Sequence, residues 1–139
     1  MKRITLILVA TTIGATLFSS GAAARGEVAP SASFTLVSGL PTTMQVGESA
    51  TVTILVTSPD RFISALALPD DQHPGKGVVS HGAAHARAGN SATLSLVFTA
   101  KRTTADLPGG ADQLALVAGV RYPNGQTLSQ RFDFSVVVP

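Results

Sequence analysis

The chain of 139 residues has no cysteine and no tryptophan, and it has a single tyrosine. Without cysteine there is no disulfide framework, so small disulfide-stapled toxins and growth factors are excluded. Packing alone must then hold a domain of this size together. A sugar-binding module is also disfavoured, because such sites usually present exposed tryptophan or tyrosine platforms.

Catalytic motifs are scarce as well. The sequence contains no cysteine nucleophile and no G-x-S-x-G elbow. The segment PGKG at 74–77 lacks the remaining spacing of a phosphate-binding loop. Ser80 and His81 are adjacent in sequence, and in a strand adjacent side chains point to opposite faces. A catalytic triad assembled from several loops remains an alternative, because triads are recognised by geometry and not by sequence position. The sequence therefore predicts a protein that is not an enzyme and takes no cofactor.

The charge of the chain is nearly balanced, with ten basic and eight acidic residues. Lys2 and Arg3 belong to the N-terminal segment described next, and without them eight residues of each sign remain. A nucleic-acid partner needs a clustered basic face, whereas the remaining basic pair, Lys101-Arg102, is typical of a solvated loop. We therefore expect no nucleic-acid partner.

The N-terminus has the pattern of a secretory signal peptide. Lys2 and Arg3 form a positive start, Ile4–Phe18 is uncharged and mostly apolar, and the small residues Ala22–Ala24 complete a cleavage pattern. The apolar run is shorter than the ~20 residues that span a bilayer. We predict a signal peptide at 1–24, cleavage after Ala24, a secreted or periplasmic location and no membrane insertion after cleavage. A retained anchor is the alternative.

Beyond this segment the sequence alternates polar and apolar residues instead of showing a helical period. Such alternation indicates strands with one buried face in an antiparallel sheet. Ser49–Thr57, Ser91–Thr99 and 132–138 show it most clearly, and Ser33–Ser38, Met44–Val46, Phe62–Leu68 and Leu114–Tyr122 show it more faintly. Leu55, Val97, Val117 and Val137 fall on the faces assigned as outer, which favours a covered or partner-binding sheet face.

The connections between these segments complete the predicted fold. Asn124-Gly125 is a strong hairpin signal and pairs the last two strands antiparallel. Lys101–Ala111 is predicted as a loop that crosses between sheets. After a flexible lead-in at 25–32, residues 33–139 are predicted to form a single all-β domain, an immunoglobulin-like antiparallel β-sandwich of about seven strands.

One short segment adds a resemblance to a known family. Val46–Ile54 reads VGESATVTI and resembles the V-G-E-x-x-x-V-T-V segment of bacterial immunoglobulin-like domains of the CARDB-like secreted type. The resemblance covers about ten residues and the general layout of strands. It implies an extracellular or periplasmic immunoglobulin-like fold, with adhesion or assembly roles common among relatives, and it assigns no functional residue.

All three histidines, His73, His81 and His85, lie between Asp70 and Gly89. In a strand His81 and His85 would be about 13 Å apart and could not share a metal ion, whereas a helix would bring them together. Alternation of polar and small residues over Val79–Ala88 favours an edge strand or loop. A periplasmic metal-binding protein that uses the three histidines is the alternative.

These observations predict a non-enzymatic domain that acts in protein–protein interaction or in envelope and surface structure. We expect the partner to be another envelope or extracellular protein that docks on the sheet containing the last two strands. The domain alone is expected to be a monomer or weak dimer. Arg131 and Asp133 at the start of the final strand, Gln130–Pro139, and Pro139 at its end disfavour pairing with a strand of another molecule. A self-assembling fibre subunit that exchanges a strand through Arg25–Ser33 is a further alternative.

Overall fold

The computed structural model describes residues 29–71 and 75–139. Within them the chain is all-β, as predicted, with no α-helix and a single 3₁₀ turn at Pro108–Gly110. The strands are β1 (Ser33–Ser38), β2 (Ser49–Asp71), β3 (Val78–Ser80), β4 (Ala84–Ala100), β5 (Asp112–Arg121) and β6 (Thr127–Val136). The predicted signal peptide and the first residues of the lead-in lie outside the described part. In that part, no helix has the length and apolar character needed to cross a membrane.

The six strands form one antiparallel sheet in the order β3-β4-β2-β5-β6, and β1 also pairs with β2. The strand count corrects the prediction of about seven in two places. Ser49–Thr57 and Phe62–Leu68 are the two parts of the single long strand β2, which pairs with β4 along both parts. Met44–Val46 is not a strand, and only Thr43 beside it makes an isolated bridge, to Val137.

The long β2–β4 ribbon contains a bulge where its register shifts. Residues 58–61 of β2 lie opposite the single residue Asn90, whose side-chain amide donates to the carbonyls of Ser58 and Pro59, both at 3.1 Å. Extra residues on one strand of a pair bend the ribbon and increase its twist. The bulge is therefore the point at which the direction of both strands changes.

Chain connectivity shows how sharply the ribbon bends. The His81 amide donates to the Val97 carbonyl at 3.0 Å, while β4 itself begins only at Ala84. The chain from His81 to Ala84 reaches at most about 11 Å, but a straight strand from Ala84 to Val97 would extend about 43 Å. The ribbon therefore folds back on itself at the bulge.

The bend in the β2–β4 ribbon divides the sheet into two parts, which we call the front half and the rear half. The front half contains β1, β3 and the segments 49–57 and 91–100 of β2 and β4. The rear half contains segments 62–71 and 84–89 of the same two strands together with β5 and β6. Both halves contribute side chains to one hydrophobic core, whose largest fully buried members are Phe62, Phe98, Met44, Ile54, Leu94, Leu96 and Leu116.

The C-terminal residues close the fold. The Val137 carbonyl accepts from the Met44 amide at 3.0 Å, and the Val137 amide donates to the Thr42 carbonyl at 2.9 Å. The Val138 amide donates to the Thr104 hydroxyl at 2.9 Å. Three consecutive valines place apolar side chains on both faces of this segment. Val136 and Val138 are buried, and Val137, which points to the opposite face, is exposed.

The predicted Asn-Gly hairpin is confirmed. β5 and β6 pair antiparallel from Asp112↔Val136 to Arg121↔Thr127. In the turn the Gly125 amide donates to the Tyr122 carbonyl at 2.9 Å, and Gly125 has a φ of +87°. Glycine adopts this left-handed conformation without the steric cost of a Cβ atom, so the sequence sets the register of the last two strands locally.

Buried hydroxyl groups connect the bulge to the start of the described chain. The Tyr122 hydroxyl donates to the Ser31 carbonyl at 3.0 Å and lies 2.8 Å from the Ser58 hydroxyl. The Ser58 hydroxyl lies 2.7 Å from the same carbonyl. Tyr122 and Ser58 are both buried. Tyr122, the single tyrosine, is therefore a core residue whose hydroxyl contacts the bulge.

We expect Tyr122→Phe to lower the free energy of unfolding by about 1–2 kcal/mol, because it removes a buried donor and leaves its partners without that hydrogen bond. Equilibrium unfolding in urea measures the change. Thr93→Val, which removes an exposed hydroxyl, is the control and should change stability by less than about 0.5 kcal/mol. Equal stability of Tyr122→Phe and the unchanged protein would contradict this role.

Candidate functional site

The outer surfaces of the two halves differ in chemistry. The strand segments of the front half contain no Asp, Glu, Lys or Arg, and serine and threonine predominate on their outer surface. Two pairs of these hydroxyls bond to each other across strands, Ser49 with Thr99 at 2.7 Å and Thr53 with Ser95 at 3.2 Å. We call this surface the hydroxyl face. It carries no charged side chain, and part of its hydroxyl groups are paired within the sheet.

The outer surface of the rear half carries charge at both ends and apolar side chains between them. We call it the charged face, and define it by nine residues: Arg87 and Arg121 at one end, Leu66, Leu68, Val117 and Gly119 in the centre, and Asp70, Arg131 and Asp133 at the other end. Their positions follow from the pairing of β2 with β4 and β5, and of β5 with β6. Alternate residues of these strands point away from the core.

The centre of the charged face is an exposed apolar patch. Leu66 is paired with Gly119 of β5, and Leu68 with Val117. The two leucines are 37% and 46% exposed, although they lie in the middle of the sheet and not at its edge. Gly119, between Leu66 and Ser129, has no side chain, and a Cβ atom placed there would lie 3.3 Å from the Leu128 carbonyl oxygen and 3.5 Å from the Ser129 Cβ atom. Apolar side chains grouped in this way are typical of a surface that another molecule covers.

The basic end of the charged face is built around Ser64. Ser64 is paired with Arg87 on β4 and with Arg121 on β5, so the two arginines flank it in one row. Both are exposed. Two strand spacings separate their Cα atoms, about 10 Å. Among the described residues, neither guanidinium has an ion-pair partner, so this end carries two uncompensated positive charges.

The acidic end lies six residues further along β2, about 20 Å away. Here Asp70 and Asp133 flank Ala115 of β5 in one row. Arg131 donates to the Asp70 carboxylate at 2.5 Å and to the Asp133 carboxylate at 2.9 Å. The hydrogen bonds that Arg131 donates, first to Asp133 and then to Asp70, raise the pKa of Arg131 above its ordinary value. With two carboxylates and one guanidinium, this end retains one net negative charge.

The bridge made by Arg131 also explains an unusual burial. Ala115 belongs to the outward-facing set of β5 with Val117 and Gly119, yet it is buried. Because Arg131 on β6 reaches Asp70 on β2, its side chain crosses β5 at the row that contains Ala115. A small residue at this position leaves room for the arginine. The acidic end is therefore held as a unit across three strands.

The structure places two of the three predicted histidines. His81 follows β3 in the front half, where its Nε2 lies 3.4 Å from the Thr99 hydroxyl. His85 is in the rear half, paired with Leu66 and exposed at the border of the charged face. His73 lies outside the described residues, so the three-histidine metal site stays a prediction. Within residues 29–71 and 75–139, no group of three or more His, Cys, Asp or Glu side chains could hold a metal ion.

The predicted edge strand around the histidines is split. Val78–Ser80 forms β3 at the edge of the front half, and β4 begins at Ala84 after a break at Gly82, whose φ is +73°. From Ala84 onward the predicted alternation is present: His85 and Arg87 are exposed, while Ala84 and Ala86 pack against the core.

One buried acid was not singled out from the sequence. Asp112 is fully buried at the start of β5, and its Oδ2 accepts a hydrogen bond from the Val78 amide at 2.9 Å. A Cβ atom at Gly77, whose φ is +114°, would lie 2.8 Å from this oxygen, so glycine is required for the close approach. The carboxylate thus fixes the segment before β3 against β5. Its role in these contacts is structural.

No known protein family matches the chain, and no curated protein matches it.

Proposed function

We propose that the protein is a secreted or periplasmic, non-enzymatic domain of immunoglobulin-like sandwich type that binds another extracellular or envelope protein. The charged face is its binding surface. The observation that carries this proposal is the contrast between the two outer faces. One carries no charged side chain and mainly hydroxyl groups, and the other has exposed leucines between segregated charges of opposite sign.

The composition of the charged face supports a protein ligand. Protein interfaces combine an apolar centre with a polar and charged rim, and arginine is enriched in them. Leu66 and Leu68 supply the centre, and Arg87 and Arg121 supply guanidinium groups at the rim that have no ion-pair partner within residues 29–71 and 75–139. Charges placed at the rim give orientation and specificity more than affinity. The sequence independently favoured the sheet of the last two strands, to which this face belongs.

The fold supports the sandwich type. The β2–β4 ribbon folds back so that one core receives side chains from both halves, and each half exposes its opposite surface. A core shared in this way is what a sandwich requires, since its two layers bury their inner faces against each other. The signal-like residues 1–24 and the absence of cysteine agree with export and with stabilisation by packing. A role in adhesion or envelope assembly accords with these features.

A photo-crosslinking residue placed in the protein as it is produced by its own cell tests this proposal. With the crosslinker in place of Leu66, we expect a covalent adduct with a protein after irradiation, identified by mass and by peptide sequencing. With the crosslinker in place of Thr93 on the hydroxyl face, we expect at least about tenfold less adduct. Absence of an adduct at Leu66, or equal adducts at both positions, would contradict the proposal.

A further inference from the structure

We propose that the charged face binds the same face of a second copy of this chain, in an antiparallel dimer with twofold symmetry. This inference rests on the proposed function, because it assigns the partner of the same surface. A twofold interface requires a patch that is complementary to itself. The charged face meets this requirement at its ends and in its centre.

Under a suitable twofold axis, the basic end of the charged face in one copy lies opposite the acidic end in the other copy. Consider a twofold axis that lies between the two faces, runs across the strands, and passes midway between the rows of Leu66 and Leu68. The row of Ser64 in one copy then lies opposite the row of Asp70 in the other. Arg121 is placed over the partner copy's row of Asp70, Ala115 and Asp133, where the two carboxylates and the Arg131 guanidinium that joins them retain one net negative charge. The contact occurs twice, and each time a positive end meets a negative end.

The centre matches under the same axis. The row of Leu66 lies opposite the row of Leu68, so each leucine packs on a leucine of the other copy. On β5 the side chain of Val117 lies opposite Gly119, which has no side chain to oppose it, and the reverse contact forms on the other side of the axis. Apolar side chains that pack together exclude water from the centre of an interface. The symmetry that pairs the charged ends therefore also brings the apolar side chains of the two copies together.

Charge complementarity is what favours a second copy over a different occupant. A ligand of one sign would satisfy only one end, because the net positive and net negative ends lie about 20 Å apart along the strands. A partner must present the two signs at the same separation and in reverse order. This chain itself presents that arrangement on the surface of its rear half.

The size of the face indicates a weak dimer. Four strands at about 4.8 Å spacing and seven rows at about 3.3 Å cover roughly 19 by 23 Å of sheet. This area is below the ~800 Å² per partner of a standard stable interface. We therefore expect reversible association with a dissociation constant in the micromolar range, weakened by added salt because charged ends contribute to it.

Sedimentation velocity of the purified protein over a range of concentrations tests the inference. We expect Arg121→Asp and Asp133→Arg each to raise the dissociation constant at least about tenfold, since each places like charges together. An equal mixture of the two variants should restore the dimer. The aspartate introduced in one variant then meets the arginine introduced in the other at one end, while the unchanged Arg121 and Asp133 meet at the other end. Lys101→Asp, the same charge reversal in the exposed β4–β5 loop, should leave the dimer unchanged.

Failure of the mixture to restore association, or unchanged association of Arg121→Asp, would overturn the dimer. Thermal unfolding of each variant, expected within about 3 °C of the unchanged protein, shows that its fold is retained. The crosslinking experiment separates this inference from the proposed function. An adduct at Leu66 with twice the mass of the chain supports both, whereas an adduct with a different protein alone supports the function and overturns the dimer.

Discussion

Replacing Leu96 with alanine is expected to lower the free energy of unfolding by about 2–5 kcal/mol. Leu96 is 2% exposed and is paired with Val52, which is fully buried, in the front half of the ribbon. The substitution removes buried apolar surface and leaves a cavity that a close-packed sheet closes only in part. Equilibrium unfolding in urea measures the loss, which should appear as a lower midpoint with an unchanged slope.

The adjacent residue provides the matched control. Val97 is 40% exposed on the hydroxyl face and is paired with Thr51. Val97→Ala removes apolar atoms from the same strand without opening a cavity, so we expect a change of less than about 1 kcal/mol. A small effect at Leu96 together with a large effect at Val97 would show that the face assignment of this strand is reversed.

The local sequence pattern was sufficient to predict a strand where that strand has one buried and one exposed face. Ser33–Ser38 is observed with the bounds predicted for it, and Ser91–Thr99 lies within β4 with its alternating apolar residues Ala92, Leu94, Leu96 and Phe98 buried. Gly125 determines the last hairpin within four residues of sequence. Alternation and turn chemistry act between neighbours in the chain, so the sequence predicts them directly.

The continuity of β2 could not be predicted in the same way. Residues 58–61 read Ser-Pro-Asp-Arg, a composition typical of a turn between two strands. They form a bulge instead, because the distant residue Asn90 binds the carbonyls of Ser58 and Pro59 while β4 continues past them. A pairing between residues about thirty positions apart decides the outcome, and periodicity contains no information about it.

The same reason limited the prediction of the site. The sequence indicated a docking surface on the sheet of the last two strands and assigned Val117 to its outer face. It could not place Arg87 and Arg121 in one row, because that requires the registers of β4 with β2 and of β2 with β5. The separation of charge along the charged face arises from non-local pairing.

The largest single destabilisation is expected at the bend of the ribbon. Phe62 has the same alternation as Leu66 and Leu68, which are exposed, yet it is fully buried in the core. The bulge that precedes it turns the strand, so its ring points inward beside the join of the front and rear halves. We expect Phe62→Ala to lower the free energy of unfolding by about 3–5 kcal/mol.

The next residue again serves as control. Ile63 is 44% exposed, so Ile63→Ala should lower the free energy of unfolding by less than about 1 kcal/mol. If Phe62 holds the two halves together, amide hydrogen exchange in Phe62→Ala should accelerate in β5, which pairs only with the rear half, more than in β1. A loss below about 1 kcal/mol at Phe62 would mean that the Asn90 and Tyr122 hydrogen bonds alone hold the bend, and that the buried ring contributes little to it.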